Sequence, residues 1–136
     1  MKEAFSLLEI MLTIAVIGIL VSFSLPISIE VIEKNEQRNS EINVILALRV
    51  AREKAVFGLE DSDWSVRIDS SSAIVFLGDD YNNRDTNFDQ IYDLKNISMG
   101  SPIIVTFDRV TGLSTDTTIN LTIDKIININ QYGLVI

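Results

Sequence analysis

A long apolar run near the start of the chain constrains its fold more than any other sequence feature. From Phe5 to Ile29 the only charged residue is Glu9. Between Phe5 and Leu25 the run is about as long as a helix must be to cross the ~30 Å hydrocarbon core of a membrane. A carboxylate in hydrocarbon costs several kcal/mol unless a positive group meets it, so any account of this run must explain Glu9.

Two general interpretations explain the length of the run. A plain transmembrane anchor leaves Glu9 unexplained. A secretory signal peptide would take Lys2 as its basic start and Ser22-Phe23-Ser24 as a small-x-small cleavage site. The signal-peptide interpretation is weakened by Glu3, which offsets the charge of Lys2, and by the charge of Glu9 inside the apolar region.

A third interpretation comes from the residues around Glu9. Lys2 and Ala4 precede Phe5-Ser6-Leu7-Leu8-Glu9, and the apolar stretch IMLTIAVIGILVSFSLP follows. This arrangement resembles the N-terminus of type IV pilins and of the pseudopilins of type II secretion systems, where the residue at the position of Ala4 is usually glycine. The resemblance implies cleavage by a prepilin peptidase between Ala4 and Phe5, N-methylation of Phe5, and a helix kink at Pro26.

Cleavage at this position would give Glu9 a charge partner. The new α-amine of Phe5, with a reference pKa of about 8, would lie one helical turn from the carboxylate. Within one helix the two groups are neighbours, whereas in a bundle Glu9 of one subunit could pair with the amine of the next. The pair would then fix the axial offset between subunits, and we therefore expect Glu9 to act in the assembly of a filament.

Helical periodicity continues after Pro26 as far as Gly58. The stretch SIEVIEKNEQRNSEINVILALRVAREKAVFG contains no proline and no internal glycine, and Gly58 is a good C-cap. Residues 30–41 are polar almost all round. A broad apolar stripe follows at Ile42, Val44, Ile45, Leu48, Ala51, Ala55 and Val56.

The pattern changes to the alternation of β-strands after Gly58. Candidate strands are WSVRI (64–68), AIVFL (73–77), PIIVTF (102–107), TINLTI (118–123), KIININ (125–130) and GLVI (133–136). Short strands with tight turns predict an antiparallel sheet with one face covered by the helix stripe. The predicted fold class is α+β, with a leader at 1–4, a transmembrane and polymerisation helix at 5–29, an amphipathic helix at 30–58 and a β-sheet domain at 59–136.

Charge and composition exclude several classes of function. Of the net charge of −8, residues 59–136 carry about −7, and an acidic domain repels nucleic acid phosphates. The chain has no cysteine and no histidine, so it lacks disulfides, thiolate chemistry and the commonest metal ligand and general base. No nucleophile–base arrangement is visible, and we expect no enzymatic activity and no nucleic acid partner.

One loop, GDDYNNRDTNFDQIYD at 78–93, carries side chains suited to a hard cation. Oxygen ligands of the kind that Ca²⁺ prefers are supplied by Asp80, Asn82, Asp85, Asn87 and Asp89. The loop departs from the EF-hand pattern, because Arg84 occupies a ligand position and neither the glycine nor the closing glutamate is present. The alternatives are a solvated loop with Asx turns and a catalytic carboxylate pair, for which nothing marks one carboxyl as desolvated. Apart from calcium, the sequence implies no cofactor.

Three further stretches resemble the GspH/FimT-type minor pseudopilins and minor pilins: ALRVAREKAVFG, IIVTFDRVTGL and IININQYGLVI. The resemblance implies a structural subunit that spans the inner membrane once, with a cytoplasmic N-terminus and a periplasmic or extracellular domain. Its implied partners are other pilin-like subunits, the prepilin peptidase and an inner-membrane assembly platform. The alternative is a secreted or membrane-tethered β-rich binding module whose N-terminus only exports or anchors it.

The mature N-terminus distinguishes these interpretations. We expect mass spectrometry of the mature protein to find N-methylated Phe5 as the first residue, because the peptidase cuts after Ala4. A mature chain that begins at Leu25 or later would indicate the secreted module, and an intact Met1 would indicate a simple anchor.

Overall fold

The computed structural model describes residues 6–122 and 125–136, and the side chains of these residues except 23–29 and 125. The chain divides into two compact units, Met1–Asn35 and Glu36–Ile136. A single long helix, α1 (Leu7–Val56), contributes to both units. The predicted fold class is confirmed in its coarse form, since the protein is α+β with a long helix and antiparallel sheets.

In the first unit, α1 starts with an ordinary backbone pattern. The carbonyl of Ser6 accepts the N–H groups of Glu9 (3.0 Å) and Ile10 (3.3 Å), and the helix continues through Pro26. Every side chain from Ser6 to Ser22 is exposed. Within the described part of the chain, we find no helix with the length and apolar character needed to span a membrane.

The C-terminal end of α1 is where the sequence predicts it. Gly58 adopts a left-handed conformation (φ 63°) and donates its N–H to the carbonyl of Ala55 at 2.9 Å. A glycine has no Cβ to oppose this conformation, so it ends a helix at little cost. Val110 donates a second hydrogen bond to the same carbonyl (2.8 Å), which joins the helix end to a distant turn.

The second unit contains two antiparallel sheets. Their strands are β1 (Trp64–Ile68), β2 (Ser72–Leu77), β3 (Gln90–Asp93), β4 (Ile103–Phe107), β5 (Thr117–Thr122) and β6 (Lys125–Ile129), and short 3₁₀ helices lie at Leu59–Asp61 and Thr86–Phe88. The larger sheet has the order β3-β2-β1-β4, and β5 pairs with β6 in the smaller one.

The core of the second unit is a cluster of buried residues from α1 and from both sheets. The helix contributes Val44, Ala47, Leu48, Ala51 and Ala55 to a buried cluster, and three of these five are alanines. The same cluster includes Trp64, Val66, Ile68, Ala73, Val75, Val105 and Phe107 from the larger sheet, and Ile119, Leu121, Ile127 and Ile129 from the smaller one. Small side chains on the helix leave room for the large aromatic residues of β1 and β4.

The apolar stripe is narrower than the sequence predicts. Ile42 and Val56 are exposed to 55% and 38%, although both belong to the predicted stripe. The buried positions 44, 48, 51 and 55 follow the spacing of a single helix face, and a stripe of seven residues is wider than the face that one layer can cover. Ala47 is buried beside that face and was missing from the predicted set.

The strands differ from the prediction in two places: one strand was not predicted, and one predicted strand is not formed. β3 lies in the segment predicted as a loop; its residues are mostly exposed, so they lack the apolar alternation that indicates a strand. The predicted strand at 133–136 is reduced to an isolated bridge between Ile129 and Val135. Gly133 and Leu134 are instead engaged in a turn, in which the carbonyl and the side chain of Asn130 accept their N–H groups.

Gly133 occupies a position that only glycine can fill without strain. Its φ is +68°, and a Cβ there would lie 2.4 Å from the carbonyl oxygen of Gly112 and 3.1 Å from the side chain of Arg52. Arg52 in turn donates from Nε to the carbonyl of Tyr132 at 3.3 Å. The turn at 131–133 is thus packed tightly against both α1 and the turn that contains Gly112.

We expect Gly133→Ala to lower the free energy of unfolding by at least about 1–2 kcal/mol, because a left-handed alanine is strained even before the clash. Urea unfolding of the full chain in detergent micelles measures this effect. Gly100→Ala is the matched control, since a Cβ at Gly100 meets nothing within 4 Å. Equal effects of the two substitutions would contradict the packing described at Gly133.

Candidate assembly site

The candidate assembly site is the first part of α1, with Glu9 in its first turn. A carboxylate in this position interacts favourably with the helix dipole, by about 0.3–1 kcal/mol. Insertion of a charged residue into the middle of a membrane costs about 2.5–3.5 kcal/mol. In hydrocarbon, the dipole alone would not offset the cost of a carboxylate at this position.

Apolar side chains surround Glu9 along the helix. Leu8, Met11 and Leu12 are exposed to 74%, 65% and 62%, and with Leu7 and Ala15 they border a shallow apolar hollow of about 500 Å³. So much exposed apolar surface marks a region that lipid or another protein covers.

The hydroxyl groups of this segment bond to the helix itself. Thr13 Oγ1 lies 3.0 Å from the carbonyl oxygen of Glu9 and 2.8 Å from that of Ile10, and Ser22 Oγ donates to the carbonyl of Gly18 at 2.8 Å. Hydroxyls satisfied in this way can enter an apolar environment without a loss of hydrogen bonding. In this segment Glu9 is therefore the side chain whose polar group most needs an external partner.

Other predicted residues of this site lie outside the described part. Ala4 and Phe5, between which cleavage is predicted, are not among the described residues, and neither is the side chain of Pro26. The processing site, the amine–carboxylate pair and the kink therefore remain predictions.

The acidic loop at 78–93 uses its carboxylates internally. Asp80 accepts hydrogen bonds from the N–H of Asn82 (2.9 Å) and from Nδ2 of Asn83 (2.6 Å). Asp85 accepts from the N–H and from Nδ2 of Asn87, at 3.0 and 2.8 Å, and so caps the 3₁₀ helix at 86–88. These are the Asx turns that the sequence left open as one alternative.

The bonds to Asp80 favour its charged form. The N–H of Asn82 and the side chain of Asn83 hold the pKa of this carboxyl below its ordinary value. A depressed pKa in the folded state contributes stability above the unfolded-state value, near 3.9, and this contribution is lost as pH falls through the lower folded value. The contribution of these two hydrogen bonds to stability is therefore fully present at neutral pH.

An ion pair closes the loop. Arg84 Nε lies 3.1 and 3.0 Å from the two carboxylate oxygens of Asp89, and Arg84 Nη2 lies 2.9 Å from one of them. Both side chains are largely buried, at 16% and 9% exposure. Arg84 also donates to the carbonyl of Tyr81 at 2.7 Å. Both carboxylate oxygens of Asp89 are therefore engaged by Arg84.

Part of the loop packs on the face of the sheet that lies opposite the core, although Phe88 of the same loop packs against the core at Trp64. The ring of Tyr81 meets Phe76 of β2 edge-on, with 5.4 Å between the ring centroids. The guanidinium groups of Arg67 and Arg84 lie 4.1 and 3.7 Å from the centre of the Tyr81 ring, within the range of cation–π attraction. Sequence reasoning missed this cluster, although the alternation in β1 already places Arg67 on the face opposite Val66.

The acidic members of the predicted calcium set, Asp80, Asp85 and Asp89, form no group that could hold a metal ion among the described residues. Across residues 6–122 and 125–136, no group of three or more acidic side chains is placed to hold a metal ion. The oxygens of Asp80, Asp85 and Asp89 instead accept from N–H groups of the loop itself. The geometry therefore favours a loop that covers the sheet.

Comparison with models of known families, with curated proteins and with solved structures finds no match for this chain.

We expect Asp89→Ala to destabilise the second unit by about 1–3 kcal/mol, because it leaves the largely buried Arg84 without its carboxylate. Urea unfolding of the full chain, followed by the fluorescence of Trp64, measures the change. Asp79→Ala removes an exposed carboxylate from the same loop and should stay within about 0.5 kcal/mol of the unsubstituted chain. The role assigned to the ion pair is wrong if the two substitutions have equal effects.

Proposed function

We propose that this chain is a pilin-like structural subunit, a minor pilin or pseudopilin, of a type IV pilus or a type II secretion filament. The observation that carries the proposal is Glu9, a carboxylate in the first turn of a helix whose described side chains up to Ser22 are exposed and mostly apolar. The subunit is held in the inner membrane by residues 5–29. Its N-terminus is cytoplasmic and residues 59–136 face outward.

The energetics of Glu9 support assembly more than simple anchoring. An anchor gains nothing from a charge that costs about 2.5–3.5 kcal/mol to insert, and leucine would serve it better. In a filament the charge can set the axial alignment of neighbouring helices. Apolar helices alone can slide along one another with little change in buried area, so they do not set this alignment. After cleavage the amine of Phe5 would precede Glu9 by four residues, about 6 Å along a helix axis. Only one axial offset between subunits then joins amine to carboxylate.

The remaining surface of the segment suits both states of such a subunit. Lipid covers the exposed leucines, isoleucines and valines before assembly, and neighbouring helices cover them in the filament. The internally bonded hydroxyls of Thr13 and Ser22 are compatible with either environment. The partners of the subunit are therefore other pilin-like subunits, the prepilin peptidase and the assembly platform of the inner membrane.

Replacement of Glu9 tests the proposal. We expect Glu9→Leu and Glu9→Ala to leave synthesis and membrane insertion intact and to reduce co-purification with the other filament subunits by about tenfold or more, because a buried amine loses its partner. Glu9→Asp keeps the charge with a shorter reach and should be intermediate. Crosslinking of membranes at equal abundance of each variant measures the capture.

Glu33→Leu provides the matched control. It removes an exposed carboxylate from the same helix, outside the apolar run, and should leave capture unchanged. If Glu9→Leu captures filament partners as well as the unsubstituted chain, Glu9 has no pairing role and the proposed function loses its main support.

A further inference from the structure

The four-stranded sheet has two edges, and hydrogen bonding around β1 reveals which backbone groups point toward each of them. Asp69 donates its N–H to Ser72 (2.9 Å), and Gly78 donates to Asp63 (2.8 Å), at the two ends of the β1–β2 ladder. Hydrogen-bonded pairs alternate along an antiparallel ladder. Residues 65 and 67 of β1 therefore turn their backbone groups toward β2, and residues 64, 66 and 68 turn theirs toward β4.

The same alternation determines which backbone groups of β4 point away from β1, toward the edge of the sheet. Phe107, Val105 and Ile103 stand opposite residues 64, 66 and 68 of β1 and take up its hydrogen bonds. The backbone N–H and C=O groups of Ile104 and Thr106 consequently point away from the sheet. Among the described residues, neither Ile104 nor Thr106 has a backbone hydrogen bond on that side.

The chain beyond β4 begins to cover this edge and then leaves it. Asp108, the next residue of the same alternation, donates its N–H to the carbonyl of Leu113 at 2.9 Å. Ser114 then donates to Gln131 (3.2 Å), so the returning segment joins the C-terminal turn and does not continue along β4. Beyond the Asp108–Leu113 hydrogen bond, β4 and the returning segment diverge and leave a gap between them. Ile104 and Thr106 lie on the β4 side of this gap.

A groove of about 630 Å³ lies in this gap. Ile104, Thr106 and Asp108 line one side, and Leu113, Ser114 and Tyr132 line the other. The side chains of Ile104, Leu113 and Tyr132 are exposed to 45%, 40% and 57%, so the groove offers apolar surface beside the unpaired backbone groups. Asp108 is the charged residue among those that line it.

The opposite edge of the sheet, at β3, is protected. Ala73 and Val75 turn toward β3, which leaves the backbone groups of Ile91 and Asp93 on its outer side. Asn43 of α1 donates from Nδ2 to the carbonyl of Asp93 at 2.9 Å, so a side chain already occupies this edge. Asp93 also places an exposed charge at one end of the strand. Charges and covering side chains are the usual means by which proteins prevent pairing at a sheet edge.

Within β4 itself none of these protections is present, although Pro102 and Asp108 flank the strand. Its sequence, IIVTF, contains no charged residue and no proline. An open, uncharged edge strand pairs readily with an extended segment of another chain. The contrast between the two edges indicates that the edge at β4 is left open for a partner.

We propose that the groove at the open edge of β4 binds an extended segment of a different polypeptide that carries basic side chains. The unpaired groups of Ile104 and Thr106 specify an extended backbone, because only a strand presents N–H and C=O groups at the matching spacing. Asp108 and the charge of about −7 on residues 59–136 specify a basic partner. A second copy of the chain would bring the same negative charge to the groove. The proposal does not depend on the filament function.

A peptide probe tests the site on the full chain in detergent micelles. The probe is acetyl-Lys-Thr-Val-Thr-Val-Thr-Lys-amide with a fluorescent label, and its affinity is measured by fluorescence anisotropy. We expect it to bind and to slow amide hydrogen exchange at Ile104 and Thr106 but not at Ile91. The same peptide N-methylated at alternate amides should bind about tenfold more weakly, since it has lost donors to the edge. Replacement of both lysines by glutamate should weaken binding in a salt-dependent way.

Two proline substitutions provide a matched pair. Ile104→Pro and Ile91→Pro each remove one outward N–H from an exposed isoleucine of an edge strand, where proline is tolerated. We expect Ile104→Pro to weaken peptide binding about tenfold and Ile91→Pro to leave it unchanged. The circular dichroism of Trp64 shows whether Ile104→Pro folds. If it does not, binding of the N-methylated peptide to the unsubstituted chain still tests whether backbone hydrogen bonds hold the peptide at β4.

Three results would overturn the proposal. The first is no binding of the lysine peptide, and the second is equal binding of its N-methylated form. The third is self-association of the chain in sedimentation that Ile104→Pro abolishes while the peptide leaves it unaffected. In that case the occupant of the edge is a second copy of this chain.

Discussion

The second unit depends on β1, which is one of the two inner strands of the larger sheet and forms both of its five-residue ladders, with β2 and with β4. Alternation along this strand assigns Trp64, Val66 and Ile68 to the core. Ser65 and Arg67 take the other face, where Ser65 is completely buried and still satisfied. Its hydroxyl donates to the carbonyl of Gly78 at 2.6 Å and lies 2.9 Å from the hydroxyl of Thr106. A one-residue slip would exchange the two faces and expose the core residues to the loop side.

The elements that could be predicted from sequence are those in which local pattern and tertiary environment agree. β1 occupies the predicted residues 64–68, and the helix ends beside Gly58, because a buried alternating strand and a left-handed glycine leave clear local signals. β3 left no such signal. It is formed by pairing with β2 in a segment rich in Asp and Asn, so the partner strand decides its structure. Likewise, the exposure of Ile42 depends on how far the covered face of the helix extends, which its own sequence does not contain.

The two candidate sites differ in how far the role of their residues can be inferred from neighbouring residues in the sequence. The significance of Glu9 is visible in the sequence, because the cost of a charge in an apolar helix depends on its immediate neighbours along the chain. The role of the acidic loop, in contrast, cannot be inferred from its sequence. Composition shows that Asp80, Asp85 and Asp89 carry oxygens, but not whether those oxygens converge on a cation or accept from nearby N–H groups. Loop geometry decides this, and here N–H groups and Arg84 occupy the oxygens.

Apolar side chains and unpaired backbone groups direct association in different ways. The exposed side chains between Leu7 and Ser22 favour any covering surface, since the hydrophobic effect has no direction and scales with area. Specific alignment of that segment must therefore come from a polar group, and Glu9 is the group available. The edge of β4 has the opposite character. Hydrogen bonds to Ile104 and Thr106 form only with a backbone of matching direction and spacing, so this edge selects its partner by geometry and needs apolar contact only for affinity. On the two proposals made above, the chain would hold one neighbour in register through its helix and bind a different one through the edge of its sheet.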